Sequence, residues 1–183
     1  MGRVTGETPT LVDLDLVVFD FDGVMTDNAV WIGADGSELV RCSREDGMGI
    51  SLLRRTGLAM LVLSTERHPV VAARCAKLGL ECMQGVDDKA ERLTAVLAGR
   101  DVDVRRTAYV GNDVNDLGCL AMVGWPVAVA DARPEVRRVA RLVLGRAGGH
   151  GAVRELCDLL IGSEPEVDGR GARVSAALPA GDA

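Results

Sequence analysis

Aromatic side chains are scarce: two Trp, two Phe and one Tyr make up 3% of the 183 residues, leaving few rings to stack on bases. Basic residues do not predominate either. The formal net charge is -6, whereas a nucleic-acid footprint needs clustered cations to neutralise phosphates, so no nucleic-acid partner is expected. A small anionic substrate is still allowed, because a metal ion and a few local cations can outweigh the global charge. The five cysteines (Cys42, Cys75, Cys82, Cys119, Cys157) are odd in number and contain no CxxC pair. That suits neither a disulfide framework nor a zinc site and points to a reducing cytoplasm. No apolar run approaches the ~18 residues of a membrane span, and no basic segment leads into an apolar stretch near the start. A soluble protein with no membrane partner is the expectation.

Hydrophobic residues make up 48% of the chain, so the core must come mainly from Leu, Val, Ala and Ile in a single domain. The apolar runs 14–20, 58–64, 107–111 and 126–130 each stop at a Gly, a polar residue or a turn, and read as buried parallel strands. Helical spacing is found at 46–57, with Asp46 as a candidate cap and Gly57 as a stop, and again at 69–78, 88–98, 114–123 and 152–161. Strands alternating with helices of this length predict an α/β fold: a Rossmann-like, doubly wound parallel sheet that binds ligands beyond the carboxyl ends of its strands. Residues 29–42 break the alternation and read as a projecting β-hairpin around an Ala-Asp-Gly-Ser turn. The domain is thus placed at 11–161, between expected disordered tails at 1–10 and 162–183.

The chemistry-bearing residues fall at strand ends. Asp20 and Asp22 leave the first strand one residue apart beside Gly23, and two carboxylates so placed can share a hard divalent cation such as Mg²⁺. The plain alternative is a solvated acidic turn. Ser64 ends the strand 58–64, where a hydroxyl can hold a phosphoryl oxygen or simply cap a turn, and Thr65, Glu66 and Arg67 follow it. Lys89 lies in the first turn of a predicted helix, opposing its dipole at a cost of roughly 0.3–1 kcal/mol unless an anion faces it. The run 111–116 delivers Asn112, Asp113 and Asp116 into a loop before a helix, as metal ligands or as caps.

A DxDG motif, a strand-end Ser, a Lys and a GNDxxD loop, in that order over about residues 14–161, resemble the haloacid dehalogenase phosphatases. The resemblance implies that Asp20 attacks phosphorus, that Asp22 protonates the leaving alkoxide and then deprotonates water, and that Ser64 and Lys89 hold the phosphoryl oxygens. It also implies a Mg²⁺ cofactor held by Asp20, the carbonyl of Asp22 and the loop 112–116, with Asn112, Asp113 and Asp116 all open as the third ligand. Asn112 is a departure, since many relatives carry Asp there.

Short gaps between the motifs leave no room for a cap domain. With the run 146–160, this resembles the capless branch that acts on eight- and nine-carbon keto-sugar acid phosphates, a branch of homotetramers joined through their hairpins. The octulosonate 8-phosphate enzymes read Thr-Gly-Arg where this chain has Ser64, Thr65 and Glu66. Glu66, with Lys77 eleven residues later, therefore implies a nonulosonate 9-phosphate substrate, unless both are surface charges. Thr65, Glu66, Lys77 and Arg154 are the candidate substrate contacts, while Asp27 and Asp46 could touch substrate or act as caps. His150 receives no catalytic role. The competing readings are an octulosonate 8-phosphate phosphatase and a non-catalytic oligomerisation module partnering a cytidylyltransferase.

Overall fold

The computed structural model describes residues 3–162. Its strands are β1 (Thr5–Gly6), β2 (Leu16–Phe19), β3 (Thr26–Ile32), β4 (Glu38–Cys42), β5 (Ala59–Leu63), β6 (Glu81–Met83), β7 (Thr107–Gly111), β8 (Trp125–Ala128) and β9 (Leu142–Val143). The helices are α1 (Arg44–Arg54), α2 (Val70–Leu78), α3 (Lys89–Arg100), α4 (Leu117–Met122), α5 (Pro134–Val139) and α6 (Ala152–Gly162). Seven strands form one sheet in the order β1-β9-β8-β7-β2-β5-β6, parallel except at β1, and β3 and β4 form a separate antiparallel hairpin. Leu16, Val17, Val18 and Phe19 are all fully buried, which is why the central strand is an unbroken apolar run rather than an alternating one.

From β2 the chain builds the sheet first toward β5 and β6, then returns through α3 to β7 on the other side. The carboxyl end of β2 is therefore a topological switch point, where the loops on either side diverge and leave a crevice. On one side α1 packs along α6 and α2; α4 packs against α3 and α5.

The predicted strands and helices are present, with differences at short or locally capped elements. The hairpin starts at Thr26, three residues before the predicted start. Ser43, not Asp46, caps α1, its hydroxyl accepting from Glu45 N, and Asp46 lies inside the helix. The predicted helix 114–123 begins as a 3₁₀ turn, Val114–Asp116, before α4. β6, β9 and α5 are too short to show a period. Within the expected tail 1–10, Thr5 and Gly6 pair with Val143 and Leu142, because the exposed edge of β9 offers backbone partners and Glu7 pairs with the Arg141 side chain. Of the expected tail at 162–183, Gly162 is the last residue of α6, and 163–183 lie outside the described residues. Among the described residues no helix is long and apolar enough to cross a membrane.

Candidate active site

Asp20 follows β2, and its N–H continues the ladder to β7 by donating to the Val110 carbonyl at 2.9 Å. Its side chain is 5% exposed; Oδ1 accepts from Phe21 N and lies 2.7 Å from Lys89 Nζ. No partner falls to Oδ2 among the described residues, so this oxygen is left for the cleft. The chain then turns tightly, with Val24, Met25 and Thr26 N–H groups converging on the Phe21 carbonyl. Gly23 takes a left-handed φ of 79°, and a Cβ there would stand 1.9 Å from Asn112 Nδ2, so only glycine lets the two loops meet. Asp22 is half-buried, and Thr26 Oγ1 reaches its Oδ1 at 3.5 Å.

Lys89 opens α3 behind its cap Asp88, and the dipole it opposes is answered by two buried carboxylates, Asp20 at 2.7 Å and Asp116 at 2.8 Å. Asp116 is fully consumed: Oδ1 accepts from Lys89 and from Tyr109 OH (2.7 Å), and Oδ2 from Asn112 N (2.9 Å) and Asp113 N (3.3 Å). Bonded in this way, it organises the loop around Asn112 and Asp113. Tyr109 was absent from the sequence candidates; its signal was being the single Tyr, two residues before Gly111 in a fully buried strand.

Burial and then the Asp116 charge push the Asp20 carboxyl up to about 7, against the pull of Lys89. Asp22 is raised above the ordinary carboxylate range, first by burial and then by the charge of Glu66. Burial acts to lower the Lys89 pKa, but Asp20 and Asp116 outweigh it and raise it.

Ser64 is buried at the end of β5, its N–H bonded to the Met83 carbonyl and its Oγ accepting from Glu66 N at 3.1 Å. Glu66 Oε1 accepts from Arg67 N and His68 N, which holds the side chain over its own turn while its charge still reaches Asp22. Asp20, Asp22, Asn28, Thr65, Asn112, Asp113, Val114 and Asn115 line a cleft of about 340 Å³. A groove of about 440 Å³ beside Leu11, Val12 and Leu58 is larger, but it adjoins the amino ends of the strands, and its polar residues Asp15 and Thr56 are bonded to Arg106 and to the Leu53 carbonyl.

Two candidate substrate contacts are not brought to this cleft. Lys77 occupies the last turn of α2, whose final carbonyl, that of Leu78, accepts from Arg54 at the end of α1. α2 starts at the carboxyl end of β5 and runs back, so Lys77 sits about two turns of helix away from the cleft, at the other end of the sheet. Arg154 lies in the first turn of α6, but its Nε is held by both oxygens of Asp158 at 2.8 Å, one turn further from the cleft. Asp46 is a cap and not a substrate contact within this chain: Oδ1 accepts from Arg154 N at 2.9 Å at the start of α6. Asp27 pairs with Arg41 of β4, which also donates to the Gly149 carbonyl and contacts His150 Nε2. The glycine run before α6 packs on the nucleophile loop so closely that a Cβ on Gly148 would lie 1.9 Å from the Gly23 carbonyl.

Among the described residues no three His, Cys, Asp or Glu side chains converge as a metal cage. The residues lining the cleft offer side-chain oxygens of mixed type, the Asp20 carboxylate and the Asn112 amide among them. Asn112 Oδ1 is buried with no hydrogen-bond partner, a cost that a cation in the cleft would remove. Oxygen donors of this kind fit a hard divalent cation. Asp113, half-buried, uses Oδ1 to cap Val114 N at 2.7 Å.

The sequence profile of haloacid dehalogenase-like hydrolases matches residues 62–156. The 3-deoxy-D-manno-octulosonate 8-phosphate phosphatase of Yersinia pestis is 34% identical over 158 residues, 86% of this chain and 84% of the relative. A Streptomyces avermitilis protein described as a HAD family hydrolase shares 50% identity at a TM-score of 0.84, covering 86% of this chain and 91% of the other. The Moraxella catarrhalis octulosonate 8-phosphate phosphatase, solved with magnesium, phosphate and KDO, gives a TM-score of 0.79 at 27% identity over 82% and 87% of the chains.

Proposed function

The chain belongs to the haloacid dehalogenase-like hydrolases and is a phosphatase, and we propose that it hydrolyses a keto-sugar acid phosphate with the help of Mg²⁺. The observation that carries this reading is the buried Asp20, with Oδ1 tied to Phe21 N and Lys89 and Oδ2 left toward the cleft. Held so, Oδ2 attacks phosphorus; the O–P bond of the ester breaks as a bond from Asp20 to phosphorus forms. Asp22 gives its proton to the departing alkoxide, for which its raised pKa suits it. A water then attacks the phosphoaspartate, returns a proton to Asp22, and releases inorganic phosphate with Asp20 restored. Ser64 Oγ and Lys89 hold the phosphoryl oxygens, with Thr65 beside them. Asp20, the Asp22 carbonyl and Asn112 would hold the Mg²⁺, with Asp113 direct or through water; the ion would neutralise charge that otherwise sets the Asp20 carboxylate against the phosphate.

The sugar-acid class is supported by relatives that act on the eight-carbon 8-phosphate. The nine-carbon reading now rests on Glu66 alone, since Lys77 lies at the far end of α2. Glu66 can accept hydrogen bonds from sugar hydroxyls and would repel a carboxylate brought close, which favours a substrate whose carboxylate lies further from the phosphorus. A non-catalytic oligomerisation module is the weaker reading, because it gives no reason for a buried Asp20 held on Lys89 at the edge of a cleft.

We further propose a homotetramer joined through β3 and β4, where Val30 (48%), Trp31 (55%), Ile32 (69%) and Leu39 (68%) are exposed together. Neighbouring subunits would roof the clefts in place of a cap. The five thiols are free, which suits a cytoplasmic setting. The test of the function is turnover of p-nitrophenyl phosphate and a panel of sugar-acid phosphates with and without Mg²⁺. Turnover favouring eight- or nine-carbon sugar-acid phosphates and lost in chelator is the expected result; equal or better turnover of simple sugar phosphates would remove the substrate class.

A further inference from the structure

Asn28 is one of two non-glycine residues among those described with a left-handed backbone, at φ 61°; the other, Asp101, ends α3. Few side chains accept this conformation, asparagine more readily than most, and such positions cluster at functional sites. Its position ties it to the reacting groups. Asn28 N donates to Thr26 Oγ1 at 3.2 Å, the same hydroxyl that accepts from Gly23 N at 3.1 Å and approaches Asp22 Oδ1 at 3.5 Å. Asn28 is exposed and lines the cleft with Asp20, Asp22 and Thr65, and its side-chain amide, tied to no other group among the described residues, is free to meet a ligand there.

Resting on the phosphatase reading above, we infer that Asn28 is a specificity determinant, its side-chain amide hydrogen-bonding a hydroxyl on the carbons next to the phosphoester. Asp22 has to reach the bridging ester oxygen, so the first carbons of the leaving group lie beside Asp22 and the turn that carries Asn28. An amide offers a donor and an acceptor together, which matches a hydroxyl and offers little to a bare ring or alkyl group. Glycine would serve the turn at φ > 0 without a side chain, so the amide is what Asn28 adds to the cleft.

Asn28→Gly therefore separates the two roles. It relieves the backbone and deletes the amide, so the melting temperature should hold or rise. The ratio of kcat/KM for sorbitol 6-phosphate to that for p-nitrophenyl phosphate should fall by about 3- to 10-fold, the worth of one neutral hydrogen bond. Asn28→Ser, which restores a shorter donor and acceptor, should recover part of the ratio. If Asn28→Gly leaves the ratio unchanged, Asn28 is a turn residue and the inference is wrong. Because sorbitol 6-phosphate has hydroxyls and no carboxylate, this ratio reads Asn28 even where the sugar-acid class fails; that class fails separately if wild-type protein does not prefer sugar-acid phosphates to sorbitol 6-phosphate.

Discussion

Lys89 reaches Asp20 at 2.7 Å with both side chains almost wholly withdrawn from water, 1% and 5% exposed. The same ammonium bonds Asp116, so one cation serves two carboxylates that would otherwise be buried together. Breaking a buried pair by removing one partner typically costs about 3–5 kcal/mol, because the other charge is left uncompensated. Lys89→Met should lower stability to urea by an amount of that order and abolish turnover. A variant as stable as wild type would mean that Asp20 and Asp116 do not depend on Lys89.

Asp20→Asn removes the nucleophile at little steric cost, so turnover should vanish with the fold intact. Its pH dependence carries a sign. In metal-free protein the Asp20 pKa stands at about 7, above its ordinary value. The stability tied to this group is then fully present at low pH, below the unfolded carboxylate range, and is lost as pH rises through about 7. In chelator, Asp20→Asn should match wild type under acid conditions and be the more stable protein above neutrality, by thermal unfolding across pH. A gap that closes as pH rises would contradict this.

Mg²⁺ should bind the ionised form of Asp20, displacing a proton. Calorimetry near pH 6, in two buffers of different ionisation heat, should register proton release on Mg²⁺ addition. Asn112→Ala should weaken Mg²⁺ binding, as it deletes the unpartnered Oδ1. Undiminished affinity would take Asn112 out of the ligand set.

Glu66 raises the Asp22 pKa, second to burial. Glu66→Gln removes that charge, so Asp22 should give up its proton at lower pH and the alkaline limb of the kcat profile should move down. Movement upward, or none, would separate Glu66 from the proton donor. Lys77→Ala, by contrast, should leave KM for sugar-acid phosphates unchanged, since α2 holds Lys77 at the far end of the sheet.

Apolar residues exposed on both faces of the hairpin, Trp31 and Leu39 on one and Val30 and Ile32 on the other, predict assembly through β3 and β4. Trp31→Glu together with Ile32→Glu places charges on residues 55% and 69% exposed in the single chain, so the fold should survive while light scattering reports a smaller species. A wild-type protein that is monomeric and fully active would end the tetramer proposal.

The sequence by itself determined the parallel sheet and the order of its reacting groups. Runs such as Leu16–Phe19 are apolar at every position because helices cover both faces, and a strand buried this way announces itself without context. Asp20, Ser64, Lys89 and Asn112 were legible because each is a polar group at a strand end or helix start, in an order that resembles a known family. Lys89 is the clearest case, a cation at the wrong end of a helix whose reason lies in Asp20. What only the tertiary structure decided concerns pairing across the chain. That Asp116 binds Tyr109, Lys89 and two backbone N–H groups across the chain is invisible in its spacing alone. Lys77 and Arg154 carried suitable charge, but a helix fixes the direction and distance of its side chains, and α2 and α6 run away from the cleft. The placement of Asn28 in the cleft likewise depends on a left-handed backbone angle, which one asparagine in a row of letters does not disclose.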